Sequence, residues 1–139
     1  MKINYEQEML NFGKEFAKKC QPSKKSTIVI ELIGDVGVGK TTFTRGLANG
    51  LKIEKPITSP SFTIAKSYAL PSGGTFTHYD FYRLPEPGLM IEDLEENLKN
   101  PNNIIVIEWG ESIADLLPED HIIITISYND DGTREVKII

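Results

Sequence analysis

Residues 34–41 read Gly-Asp-Val-Gly-Val-Gly-Lys-Thr, a complete G-x-x-x-x-G-K-[ST] sequence, and its flanks narrow the possible folds sharply. Residues 27–33, Thr-Ile-Val-Ile-Glu-Leu-Ile, form an apolar run of strand length that stops at the first glycine. Residues 41–51 carry Phe43, Leu47 and Leu51 at i, i+4 and i+8, the stripe of a helix with one buried face. Strand, glycine loop and helix in that order present backbone N–H groups at a helix N-terminus, an arrangement that holds phosphate groups. Gly37 and Gly39 permit backbone angles and a close approach that a Cβ blocks. Lys40 is placed to set a point charge against β- and γ-phosphate oxygens, and the Thr41 hydroxyl to ligate Mg²⁺.

Composition narrows the remainder. At 139 residues, 40% hydrophobic and 25% charged, the chain suits one domain, 1–139, with a sizeable core. It has no apolar run long enough to span a membrane and no apolar N-terminal segment. The single cysteine, Cys20, rules out an internal disulfide and a cysteine metal cluster, and suits a reducing cytoplasm as a small core residue. Net charge is −5, and arginine occurs only as Arg45, Arg83 and Arg134. Lys18, Lys19, Lys24 and Lys25 read as a solvated helix end and loop. A chain that grips nucleic acid alone carries a basic stripe, so this balance argues for contact with nucleic acid only through a complex.

Periodicity and turn residues predict the other elements. Residues 5–20 form an amphipathic helix with Tyr5, Met9, Phe12 and Phe16 on one face. Residues 62–70 and 75–82 form a hairpin about Pro71-Ser-Gly-Gly74. Residues 85–98 form an acidic helix with Ile91, Leu94 and Leu98 inward, and 111–117 a short helix stopped by Pro118. Residues 104–107 are a strand buried on both faces, and 121–128 and 133–139 are the last two strands. The expected fold is α/β: a single P-loop NTPase-like domain whose central, mostly parallel sheet is flanked by helices.

Hydrolysis needs a second acid near the metal, supplied by an apolar strand that ends in a carboxylate. Ile104-Ile-Val-Ile-Glu108 fits, with Glu in place of the usual Asp. Glu108 also reads as an exposed strand-end charge, but the apolar run before it favours the metal role. In His78-Tyr-Asp-Phe-Tyr-Arg83, His78, Asp80 and Tyr82 share one strand face. Asp80 either orients or deprotonates an attacking water there or belongs to an edge-strand polar face. His78 reads as a structural hydrogen-bonding residue, His121 carries no signal and Asp35 has no assigned role. No Asn-Lys-x-Asp guanine-reading sequence occurs, which lowers a GTPase, and no arginine-rich lid follows the loop, which lowers a small-molecule kinase.

Gly34-Asp-Val-Gly-Val-Gly-Lys-Thr-Thr-Phe-Thr-Arg-Gly46, Ser59-Pro-Ser-Phe62, His78-Tyr-Asp-Phe-Tyr-Arg-Leu84 and Val106-Ile-Glu-Trp109 together resemble the TsaE (YjeE) family, in order and spacing, from about residue 5 to the last strand. The glycine loop is generic; the other three motifs together are specific. The resemblance implies a bacterial P-loop ATPase of tRNA N6-threonylcarbamoyladenosine modification, cytoplasmic, working with the TsaD and TsaB proteins and meeting tRNA through them. It implies ATP and Mg²⁺ as the ligands. Gly37, Val38, Gly39, Lys40, Thr41 and Thr42 would bind phosphates, and Thr41 and Glu108 would hold Mg²⁺. Lys40, Asp80 and Glu108 would serve hydrolysis. Ser59 to Thr63 would form a switch-like loop, Trp109 would lie near the nucleotide, and Glu6, Met9 and Arg134 would flank the base. Ser61, Gly110, Val36 and Val38 depart from the family's usual residues, but none removes a phosphate or metal group. A small P-loop kinase acting on a metabolite and a nucleotide-gated adaptor with negligible hydrolysis remain as alternatives.

Overall fold

The structure, a computed structural model, describes residues 1–20, 26–57, 65–82 and 88–139. Its elements run β1 (Lys2–Ile3), α1 (Glu6–Ala17), β2 (Ile28–Ile33), α2 (Lys40–Gly50), β3 (Ala65–Ala69), β4 (Thr75–Asp80), α3 (Leu89–Leu98) and β5 (Ile104–Glu108). A kinked 3-10 segment (Gly110–Leu116), β6 (Ile122–Tyr128) and β7 (Arg134–Ile138) complete the chain. The strands form one sheet in the order β1-β7-β6-β2-β5-β4-β3. The four central strands, β6, β2, β5 and β4, are parallel. The margins are antiparallel. The expected mostly parallel sheet is therefore a mixed one with a parallel centre. Short turns explain two of the three antiparallel pairs: β3–β4 and β6–β7 are joined by too few residues for a crossover, which needs about a dozen.

Side-chain alternation sorts the core onto two faces. Ile30 and Leu32 of β2 and Ile104 and Val106 of β5 pack with Met9 and Phe16 of α1 and Phe43 and Leu47 of α2. Val29, Ile105, Ile107 and Tyr79 pack on the other face with Leu94 of α3 and Ile113. Every residue of β5 is buried, as a strand covered on both sides requires. The Tyr79 hydroxyl donates to Asp93 at 2.6 Å and accepts from the Asn97 amide at 2.6 Å, which ties α3 to β4.

α1 and α2 cross at van der Waals contact through glycines. A Cβ on Gly46 would lie within 3.0 Å of three backbone atoms of Leu10, which cannot rotate away. Helix propensity alone favours alanine there by about 1 kcal/mol. Overpacking against a fixed backbone opposes this by up to about 3 kcal/mol or more. Gly46→Ala should therefore be destabilising overall and lower the midpoint of thermal unfolding by several degrees, read by circular dichroism. An unchanged or raised midpoint would show that the helices can separate at little expense.

Several expectations needed adjustment. The first helix ends at Ala17 rather than 20, and Tyr5 is 60% exposed, so it is not part of the buried stripe. Cys20 is buried past the helix end, where desolvation pushes its thiol up to about 12. Glu108 is the last residue of β5, as a strand ending in a carboxylate requires, and it is buried, so it is not an exposed strand-end charge. The expected helix at 111–117 is a 3-10 segment with a non-helical Ile113. β1 was not anticipated; it pairs with β7 through Lys2↔Glu135 and Ile3↔Arg134. The strand start at 62–64, the helix start at 85–87, Ser59 to Thr63 and Arg83 lie outside the described residues.

Candidate functional site

The glycine loop leaves β2 at the carboxyl edge of the parallel strands, where α/β sheets place their ligand crevices. Gly37 and Gly39 have φ of 81° and 120°, in the region that favours glycine. The first bond of α2 closes from the Phe43 amide to the Gly39 carbonyl at 2.9 Å. The amides of Lys40, Thr41 and Thr42 precede it and are left for an acceptor from outside the helix. The β6–β7 hairpin holds the loop from behind. The Tyr128 hydroxyl donates to the Gly37 carbonyl at 2.7 Å, and Arg134 Nε donates to the Val38 carbonyl at 2.7 Å. Val38 also donates its N–H to the Asp35 carbonyl at 3.2 Å, and its side chain is buried. Both backbone polar groups of Val38 are thus engaged within the protein, unlike those of the helix start.

Lys40 is buried at the first position of α2. Its Nζ donates to the Gly34 carbonyl at 2.5 Å and lies 3.6 Å from Glu108 Oε1. The same Nζ sits 4.3 Å from the centroid of the Trp109 ring. Trp109 adopts a left-handed backbone, φ 57° and ψ 49°, which is unfavourable by about 1–2 kcal/mol for a residue with a Cβ. Its contact with a desolvated ammonium, worth up to about 2 kcal/mol, offsets that strain. Tyr82 packs against the indole, tilted by 40°, with 4.8 Å between ring centroids.

Glu108 Oε2 accepts from His78 Nε2 at 2.5 Å. Parallel pairing of β4 and β5 sets this contact: His78 is level with Val106, and Asp80 is level with Glu108. His78, Asp80 and Glu108 therefore share the sheet face that looks toward α2. Asp80 is the last residue of β4, and its Oδ1 accepts the Tyr82 amide at 2.9 Å. Burial, with the Glu108 charge adding to it, raises the Asp80 carboxyl above its ordinary value.

Two clefts open on either side of the loop. One, of about 360 Å³, is lined by Lys40, Thr41, Asp80, Tyr82, Glu108 and Trp109 among others. The second, of about 250 Å³, is lined by Ile3, Tyr5, Glu6, Met9 and Arg134. They meet at Gly37, Gly39 and Thr42, which border both. The residues expected around phosphates and those expected around a base thus fall into separate, adjoining spaces. Tyr82, Tyr128, Ile3 and Tyr5 were not expected at the site. For Tyr82 the signal was present in the alternation His78, Asp80, Tyr82.

The TsaE model, described as "Threonylcarbamoyl adenosine biosynthesis protein TsaE", matches residues 3–136. The chain belongs to the TsaE family. A tRNA threonylcarbamoyladenosine biosynthesis protein TsaE of Haemophilus influenzae is 37% identical over 94% of this chain and 82% of its own length. That of Rickettsia bellii is 38% identical over 98% of this chain and 91% of its own length. Among solved structures, a crystal structure of Bacillus subtilis YdiB superposes with a TM-score of 0.74, at 32% identity, covering 99% of this chain and 82% of that one.

The donor set suits a magnesium nucleotide. Thr41 and Glu108 offer hard oxygen ligands, and Mg²⁺ takes only one or two protein ligands when phosphates complete its shell. The described residues hold no group of three or more His, Cys, Asp or Glu side chains fit for a metal. The buried Lys40 ammonium has a carbonyl and a distant carboxylate as its present acceptors, and phosphate oxygens are stronger ones. His121, which carried no signal in the sequence, bridges the Pro118 carbonyl and Glu31 on the opposite sheet face, away from Lys40.

Proposed function

We propose that this TsaE-family chain binds and hydrolyses ATP with Mg²⁺ in support of tRNA N6-threonylcarbamoyladenosine formation, acting in the cytoplasm with the TsaD and TsaB proteins. The observation that carries the catalytic part is the convergence of Lys40, Thr41, Asp80 and Glu108 on one cleft beside the free amides of α2. The adjoining cleft at Glu6, Met9 and Arg134 would receive the base. The pathway and the partners rest on the family and the names its members carry. No helix among the described residues is long and apolar enough to cross a membrane.

In this reading the amides of Lys40, Thr41 and Thr42 hold the phosphate oxygens, and Lys40 moves from Gly34 and Glu108 onto the γ-phosphate. Thr41 and Glu108 would hold Mg²⁺, which when bound would neutralise charge on the phosphates. Asp80 accepts a hydrogen bond from the attacking water and orients it. The water oxygen bonds to the γ-phosphorus as the bond to the β–γ bridging oxygen breaks, giving ADP, phosphate and a proton. Trp109 covers the site beside Lys40 and limits access of further water.

Glu108→Gln removes charge with little change of volume. It should raise the Mg²⁺ concentration for half-maximal ATPase rate by about tenfold or more. An unchanged half-saturation point would make Glu108 a bystander.

The partner claim has its own test. With a net charge of −5, the isolated chain should not bind tRNA tightly at physiological salt, but should co-elute with TsaD and TsaB when ATP is present. Equal co-elution with ATP, ADP or no nucleotide would contradict the nucleotide-dependent association.

A further inference from the structure

We infer that His78 is a positioning residue that fixes which oxygen of Glu108 is presented to the metal, an inference that rests on the assignment of Glu108 as a magnesium ligand. His78 is fully buried in the middle of β4. The Glu108 carboxylate is an acceptor, so Nε2 carries the proton and donates to Oε2 at 2.5 Å. Nδ1 is the one buried side-chain polar atom without a hydrogen-bond partner among the described residues. The ring is therefore held by packing and by this single bond, and the bond has no competitor on the histidine side.

The two oxygens of Glu108 are in different situations. Oε2 is tied to a ring that cannot move without disturbing the sheet. Oε1 faces the Lys40 ammonium at 3.6 Å, beyond ordinary hydrogen-bond length. A phosphate that draws Lys40 away frees Oε1 and leaves Oε2 where it is. The carboxylate then stays oriented, with one oxygen turned to the cleft that Thr41 and Asp80 also line. Without the histidine bond, Glu108 can rotate and follow Lys40, and neither of its oxygens is then held toward the metal. Outer partners that orient a ligand in this way typically affect metal affinity by about 10- to 100-fold.

The sequence carries the device in a simple form. A His-x-Asp on one parallel strand beside an Ile-Glu ending on the next puts the histidine two residues before the level of the glutamate, on the same face. The imidazole reaches forward along the strand, and the pairing of β4 with β5 makes that reach constant.

The test is calorimetric titration of ATP with and without Mg²⁺ into wild type, His78→Leu, His78→Gln and Glu108→Gln. The readout is the tightening that Mg²⁺ produces. His78→Leu removes the donor at similar volume and should reduce that tightening by about 10- to 100-fold, with Mg²⁺-free affinity little changed. His78→Gln restores a donor near the position of Nε2 and should recover most of it. His78→Asn, whose amide is too short to reach, should resemble the leucine variant and replaces it if the latter does not fold. Wild-type tightening in the leucine or asparagine variant, or no recovery with glutamine, would overturn the inference. If Mg²⁺ fails to tighten ATP binding in wild type, or Glu108→Gln keeps the full effect, the magnesium role of Glu108 fails and the assignment of His78 falls with it.

Discussion

Lys40→Ala should lower kcat/KM for ATP hydrolysis by about 10³-fold, a loss of about 4 kcal/mol of transition-state stabilisation. The magnitude follows from where the ammonium sits. It is buried, so its field acts in a poorly screened space, and charge-assisted bonds to phosphate oxygens are strong there. Nothing else among the described residues supplies a cation to that cleft. The other lining groups with formal charge are Asp80 and Glu108, both acidic. The variant also strips the Gly34 carbonyl of its partner and leaves Glu108 with His78 alone, so stability should fall by about 1–3 kcal/mol. Phosphate release and thermal unfolding, measured on the same preparation, separate the two effects. Hydrolysis at the wild-type rate in Lys40→Ala would remove the loop from the reaction.

Asp80→Asn should lower turnover by about 10²- to 10⁴-fold while leaving ATP affinity nearly unchanged. The carboxylate is proposed to act on water, which is absent from the ground-state contacts of the phosphates, so its loss belongs in kcat. Burial and the neighbouring Glu108 raise its basicity, the direction that favours accepting a proton or a strong hydrogen bond from water. Asparagine keeps an oxygen for the Tyr82 amide, so the local turn survives. Single-turnover rates against an equilibrium titration decide the matter. A large loss of affinity with normal turnover would reverse the role and make Asp80 a binding group.

The parts of the site close together in sequence were legible. The loop and its flanking strand and helix occupy one continuous stretch, where local periodicity suffices. The apolar run before Glu108 announced a strand covered on both faces, and β5 is one. What escaped depended on partners far away in the chain. The His78–Glu108 bond joins residues 30 apart, and only the pairing of β4 with β5 puts them within reach. Tyr128 reaches the loop from more than 90 residues away, and Arg134, expected only beside the base, also bonds to it, both through backbone carbonyls that carry no sequence signal. β1 is two residues long, too short for any pattern, and exists because β7 offers it an edge. Tyr5 fitted the helical stripe by spacing, but it precedes the helix in extended conformation and lies at the rim of the second cleft.

The central claim is that ATP with Mg²⁺ occupies the cleft shared by Lys40, Glu108 and Trp109. Trp109 is the single tryptophan of the chain, and its ring rests against the ammonium that must move when phosphate arrives. The most direct measurement is therefore a titration of Trp109 emission with ATP in the presence of Mg²⁺. The account predicts a saturable change in emission for wild type, shifted to much higher ATP concentration in Lys40→Ala. Emission unchanged up to millimolar ATP, while calorimetry on the same sample records binding, would place the nucleotide elsewhere and contradict the account.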